Sequence, residues 1–152
     1  MIQRIQSAYL LLVVALMGAT MGMPLGTYVG KATGISTLYA YELDIVGGQQ
    51  DSACWGLFAI ALLAAIIAFA TIFLYKNRKL QMRLTIFNIL VTIGWYAAFA
   101  AFVISYGELL AGTAFVCASG AALPFIAIIL DLLALRGIRH DERLVKAADR
   151  LR

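Results

Sequence analysis

Chemistry needs nucleophiles, titratable groups or metal ligands at workable spacing, and this chain holds few of them. Asp131 is the one ionisable side chain set clearly inside an apolar stretch. A carboxylate in such a place is costly and points to a function or to a specific partner. Asp131 stands four residues before the end of its apolar run, about 6 Å at 1.5 Å per residue. Arg83 or Arg4 could reach it there, so a structural ion pair or hydrogen bond is the first reading and a proton site the second. Cys54 and Cys117 each lie near the outer end of an apolar run. A disulfide between them is conceivable if their helices touch in an oxidising compartment. A thiol-redox role is the remote reading, because the chain has no C-x-x-C, and two small apolar side chains in packed helices are the simplest one. The single histidine, His140, rules out paired axial ligands for a haem from this chain alone. One His and two distant Cys make no zinc site. Neither a phosphate-cradling glycine loop nor a nucleophile–base pair is present. The expectation is a protein with no catalytic residue, no metal and no cofactor.

The elements that carry these residues follow from the apolar pattern. Hydrophobic residues make up 63% of the 152 and charged ones 13%, against about a quarter charged in soluble domains. The apolar residues gather in four runs, at about 5–23, 54–75, 84–106 and 113–135. Each has roughly the 20 residues a helix needs to cross the hydrocarbon, with its backbone hydrogen bonds satisfied internally. Pro24 and Gly26, the run 76–79, Gly107-Glu108 and Arg136-Gly137 interrupt the pattern. The first run has one preceding Arg4 and an apolar core from Tyr9 to Met17. A cut after Ala19 would put Met17 where a small residue is wanted, so the run reads as an uncleaved signal anchor. The predicted fold is all-α and membrane-embedded. It is a four-transmembrane-helix bundle forming one domain over 1–152, with an outer loop at 24–53 and a cytoplasmic tail at 136–152.

Charge sets the direction. Of the twelve basic residues, Lys31 alone falls on one side of a four-span arrangement, together with Glu42, Asp44, Asp51 and Glu108. The other basic residues fall on the opposite side, which the positive-inside rule makes cytoplasmic. Both termini are then cytoplasmic, and a bacterial inner membrane is the expected location. The net charge of +4 is thus a topology signal. Nucleic acid is not an expected partner, since no aromatic stacking residue accompanies the basic tail. That tail reads as an amphipathic helix capped by Asp141, with a stripe of Arg139, Arg143, Lys146 and Arg150. It would lie on anionic lipid or dock on a larger complex.

The outer loop is β-prone. A strand over 35–46 would place Thr37, Tyr39, Tyr41, Leu43 and Ile45 on one face. Gly26–Gly30 could pair with it as a hairpin turning at 31–34. A lone hairpin is marginal in water, so it must rest on the helix ends or on a partner, with Tyr28, Tyr39 and Tyr41 as an outer docking surface. Small-xxx-small pairs suit close helix packing: Gly18/Gly22, Ala61/Ala65, Ala64/Ala68, Gly94/Ala98 and Ala118/Ala122. Asn88 and Thr92 could hydrogen-bond a neighbouring helix, and Pro124 should bend the fourth span by removing a backbone donor.

The two ends, MIQRIQSAYLL and RGIRHDERLVKAADRLR, resemble a family of small bacterial membrane proteins classed as a domain of unknown function. The resemblance implies four spans, a longer first outer loop and a charged C-terminal helix, with no catalytic residue, cofactor or substrate to transfer. The functional expectation is a non-enzymatic accessory or scaffold subunit of an inner-membrane complex, with other membrane subunits as partners. A small homodimeric transporter or channel using Asp131 is the alternative.

Overall fold

The computed structural model describes residues 2–30, 34–45, 49–51, 54–110 and 112–150. Four helices dominate it: α1 (Ile2–Gly22), α2 (Trp55–Phe73), α3 (Arg78–Leu109) and α4 (Leu123–Arg150). All four are long and apolar enough to cross a membrane. Strands β1 (Gly26–Gly30), β2 (Gly34–Leu38), β3 (Leu43–Ile45) and β4 (Gln49–Asp51) follow α1, and β5 (Thr113–Cys117) joins α3 to α4. The strands form one antiparallel sheet in the order β4-β3-β2-β1-β5. The sheet lies at one end of the bundle and the basic residues of α3 and α4 at the other.

Each helix buries a stripe at alternating spacings of three and four. On α1 it is Gln6, Leu10, Val13, Met17 and Thr20. On α2, Leu57, Ala61, Ala64, Ala68 and Thr71 continue the stripe from Cys54. On α3 it is Gln81, Thr85, Asn88, Thr92, Trp95 and Phe99, and on α4 Ala127, Asp131, Ala134, Ile138 and Asp141. A period of 3.5 residues is that of helices crossing at about 20° in a left-handed bundle. The stripes mix small and polar residues with a few large ones such as Leu10, Met17, Leu57 and Trp95, whereas Leu62, Ile66, Phe69, Leu90, Ile93, Leu132 and Leu133 point outward.

Several expected boundaries shift. The fourth span does not begin at residue 113, because 113–117 is strand β5, paired with β1 from Gly30↔Thr113 to Gly26↔Cys117. Short apolar runs rich in aromatic and β-branched residues suit a strand as well as a helix. α4 starts at Leu123, so Pro124 sits in its first turn, where its missing N–H breaks no intrahelical bond. It therefore opens the helix rather than bending it. Nor does α4 stop at Arg136-Gly137: it is 28 residues long and runs on to Arg150. Gly137 lets α1 come close, and a Cβ there would lie 3.0 Å from Gln6 Cγ. Asp141 is thus no helix cap but a buried residue that accepts a 2.7 Å hydrogen bond from Gln6 Nε2.

The hairpin of β1 and β2 has the expected partners, Gly26–Gly30 against Gly34–Leu38, with the turn residues 31–33 outside the described ones. The single strand over 35–46 is instead two strands, β2 and β3, joined where Tyr39 N donates to Glu42 O at 2.9 Å. The fold-back keeps both Leu38 and Leu43 buried as cross-strand partners. Residues on the bundle-facing side include Tyr28, Ser36, Leu38 and Leu43. The sheet is tied to the helices by Phe58 N donating to Ala40 O at 3.1 Å and Gly120 N donating to Pro24 O at 3.2 Å.

Three of the small-residue pairs, Gly18/Gly22, Gly94/Ala98 and Ala118/Ala122, do not lie in the interfaces as expected. Gly18 and Gly22 are exposed, and a Cβ on either would meet nothing within 4 Å. Ala118 and Ala122 precede α4. The alanines of α2 do lie inward, with Ala61, Ala64 and Ala68 fully buried. Gly120 is a true close approach, since a Cβ there would collide with the Pro24 carbonyl. Gly120→Val should therefore lower stability by about 1–3 kcal/mol through overpacking against backbone. Gly94 faces open space on α3, and Gly94→Ala should instead add about 0.5–1 kcal/mol through helix propensity. Unfolding curves in a mild detergent check both; equal effects would contradict the assigned packing.

Candidate functional site

The polar side chains inside the bundle form two groups. The first joins α3 to α4 midway along the buried stripes. Asn88 and Asp131 are at most 1% exposed, and Asn88 Nδ2 donates to Asp131 Oδ2 at 2.7 Å. Asp131 is therefore held by an amide on α3. Arg83 is exposed, and the side chain of Arg4 lies outside the described residues. Among the described residues the hydrogen-bond partner of Asp131 is Asn88. Asn88 Oδ1 and Asp131 Oδ1 are both buried and have no hydrogen-bond partner among the described residues. The pair thus has more acceptors than donors. Asp131 lies fully buried between α3 and α4, and α4 continues beyond residue 135.

Around this pair the hydroxyls are satisfied within their own helices. Thr92 Oγ1 donates to Asn88 O at 2.9 Å rather than to a neighbouring helix, and Thr85 Oγ1 donates to Gln81 O at 2.9 Å. Thr20 and Thr71 donate to Leu16 O and Ile67 O in the same way. Buried Ser and Thr back-bond like this when no outside acceptor faces them.

The second group closes the basic end. Asp141 takes the Gln6 amide, while Arg78 Nη1 donates to the Asp141 carbonyl at 2.9 Å, so α1, α3 and α4 meet at one residue. Neither Gln6 nor Arg78 was singled out from the sequence. Spacing was the signal for Gln6, which opens the buried stripe of α1 with the same period as the rest, as Gln81 does on α3; Arg78 lies outside that stripe. Arg139 and Arg143 are exposed on α4, and the side chains of Lys146 and Arg150 lie outside the described residues.

Towards the sheet, aromatic donors replace amides. Trp95 Nε1 donates to Leu57 O at 3.0 Å, Tyr96 Oη to Ala121 O at 2.7 Å, and Tyr28 Oη to Val103 O at 3.1 Å. Tyr28 is therefore a buried clamp and not part of a docking surface. Its ring lies 5.0 Å from that of Phe115, and burial pushes its phenol up to about 12, which keeps it a donor. Tyr39 and Tyr41 stack at 5.7 Å, with Tyr41 exposed.

The cysteines are not joined in a disulfide. Cys54 is buried with its sulfur 3.4 Å from Tyr106 Oη, whereas Cys117 is exposed on β5, its register partner on β1 being Gly26. The strand conformation of 113–117 takes Cys117 out of the helical position that the sequence suggested. No group of three metal-binding side chains occurs among the described residues.

A buried pair with surplus acceptors responds asymmetrically to change. Asn88→Leu removes the donor and leaves Asp131 without one, which should cost about 1–3 kcal/mol. Asp131→Asn adds an amide donor next to the unpartnered Asn88 oxygen and should leave stability equal or higher. Chemical unfolding of the two single variants in detergent tests this; a large loss for Asp131→Asn would refute the surplus-acceptor description.

A search of curated proteins found no match. A family model, the domain of unknown function DUF4293, matches residues 2–151. Nearly the whole chain is covered by that match, and the protein belongs to the DUF4293 family.

Proposed function

We propose that this is a multi-pass protein of a bacterial inner membrane, with cytoplasmic termini, that serves as a non-enzymatic accessory or scaffold subunit and docks a membrane-protein partner on its sheet. The observation that carries this is the outward face of the sheet. Val29, Ile35 and Val116 are 43%, 63% and 52% exposed. Register places Val29 between Ile35 of β2 and Ala114 of β5, in one row across three strands. β5 is also an edge strand in the sheet order, and its sequence Thr-Ala-Phe-Val-Cys carries no charge or proline. Sheet edges that are to stay unpaired are usually blunted by such residues. An apolar row beside an unguarded edge suits a second chain that adds a strand or covers the face. Tyr41 extends the same exposed end. The basic residues at the opposite end agree with that end being cytoplasmic.

The test is co-purification from native membranes in mild detergent. The wild-type chain should retain a partner in fixed ratio, and Ile35→Lys with Val116→Lys should lose it while unfolding at the same temperature. A wild-type protein that emerges monodisperse and alone would end the proposal.

A second reading, a small homodimeric transporter or channel using Asp131, draws on the two unpartnered buried oxygens of the Asn88–Asp131 pair. It predicts that Asp131→Asn abolishes ion or solute flux in proteoliposomes; wild-type flux in that variant would dispose of it.

A further inference from the structure

The basic end carries a feature that neither the buried pair nor the sheet uses. A groove of about 740 Å³ runs along α4, with Tyr9 of α1 on its other side. Its apolar part is formed by Leu132, Leu133 and Leu135, and its polar part by Arg136, Arg139, His140 and Arg143. The two parts are ordered along the helix. Leu132, Arg136, Arg139 and Arg143 follow one another at spacings of four, three and four and so share one face. The distance from first to last is about 16 Å at 1.5 Å per residue.

No acidic residue lines the groove. The nearest buried carboxylates are engaged elsewhere, Asp131 by Asn88 and Asp141 by Gln6. The three guanidinium groups have no ion-pair partner among the described residues, and all three arginines are exposed. The groove therefore offers an apolar wall that passes into a cationic mouth, with a phenol at the side. That sequence of surfaces matches a molecule whose hydrocarbon part is continuous with an anionic head. Guanidinium groups bind phosphate oxygens in a planar, two-pronged manner.

We propose that the α1–α4 groove is a binding site for an anionic phospholipid, its phosphate held by Arg136, Arg139 and Arg143 and its acyl chain laid on Leu132 and Leu133. This rests on the chain being a membrane protein, the reading proposed above. The direction is consistent with it: the leucines lie within the apolar part of α4 and the arginines toward its end, where headgroups would be. An amphipathic tail lying on the leaflet would attract anionic lipid loosely along its length. A groove against α1 instead selects one molecule.

The experiment is native mass spectrometry of the full chain in detergent, titrated with phosphatidylglycerol, with phosphatidylcholine or with inorganic phosphate. The wild type should retain one phosphatidylglycerol, prefer it over phosphatidylcholine and not release it to phosphate at equal concentration. Each arginine near a headgroup contributes roughly fivefold in affinity, so Arg139→Gln with Arg143→Gln should weaken retention by about 25-fold. Lys79→Gln with Arg83→Gln removes the same charge from side chains that do not line the groove, and screening over that distance should keep the change below about threefold. Arg139→Lys with Arg143→Lys keeps the charge but loses the two-pronged contact and should bind between wild type and the Gln double, which separates lost binding from lost folding. Equal losses in the two Gln doubles, equal binding of both lipids, or displacement by phosphate would each overturn the site. Failure of the membrane reading would be seen separately, as release of the protein from membranes by alkaline carbonate.

Discussion

Packing along narrow buried stripes, with alanines on α2 and polar side chains at set positions on α1, α3 and α4, is the constraint on which the rest of this structure depends. Helices that cross a bilayer gain little by hiding large apolar side chains from one another, because lipid solvates those side chains equally well. Packing contact and hydrogen bonding are what remain. The bundle follows that logic on α2, where Ala61, Ala64 and Ala68 are fully buried beside Leu57, while Leu62, Leu63, Phe69 and Phe73 face out. With alanine at the contact, the Trp95 indole can reach the Leu57 carbonyl of the neighbouring helix. The polar side chains then set register. Asn88 meets Asp131 and Gln6 meets Asp141, so sliding α4 along its neighbours would leave several buried groups without partners.

The two ends of the bundle are finished differently. At the basic end the helices themselves continue, and Gly137 allows α1 close enough for Gln6 to hold Asp141. At the other end the connections become a sheet whose inner face is sealed by Tyr28 and Phe115. β5 makes the sheet part of the bundle and not an appendage. It arrives from α3, pairs with β1 after α1, and leads into α4. A hairpin alone would be marginal; five strands anchored to three helices are not. The consequence is an apolar outward face on a sheet tied to the bundle, and on the opposite end a groove whose basic residues stand on one continuous helix.

The number of long helices, the hairpin partners and the separation of basic residues from the loop were all legible in the chain, because each depends on local chemistry. Long apolar runs identify helices, Gly26–Gly30 and Gly34–Leu38 carry strand character, and charge clusters mark one end. The start of α4 was not legible, since Thr113–Cys117 is as apolar as a helix turn and only its pairing with β1 makes it a strand. The role of Tyr28 was hidden for a related reason: alternation within the loop does not say which face the helices cover.

What the amino-acid sequence determined by itself is therefore the set of elements and their polarity, along with membership of a family without an assigned activity. Hydropathy and charge act residue by residue and need no partner. Tertiary structure alone decided the contacts: Asn88 as the partner of Asp131, Asp141 as an interior residue and not a cap, both thiols outside a disulfide, and the arginines of α4 aligned beside Tyr9. In helices whose outward faces are as apolar as their inward ones, no amphipathic contrast shows which face turns inward. The seam is chosen by how closely backbones can approach, and that is a property of pairs of helices.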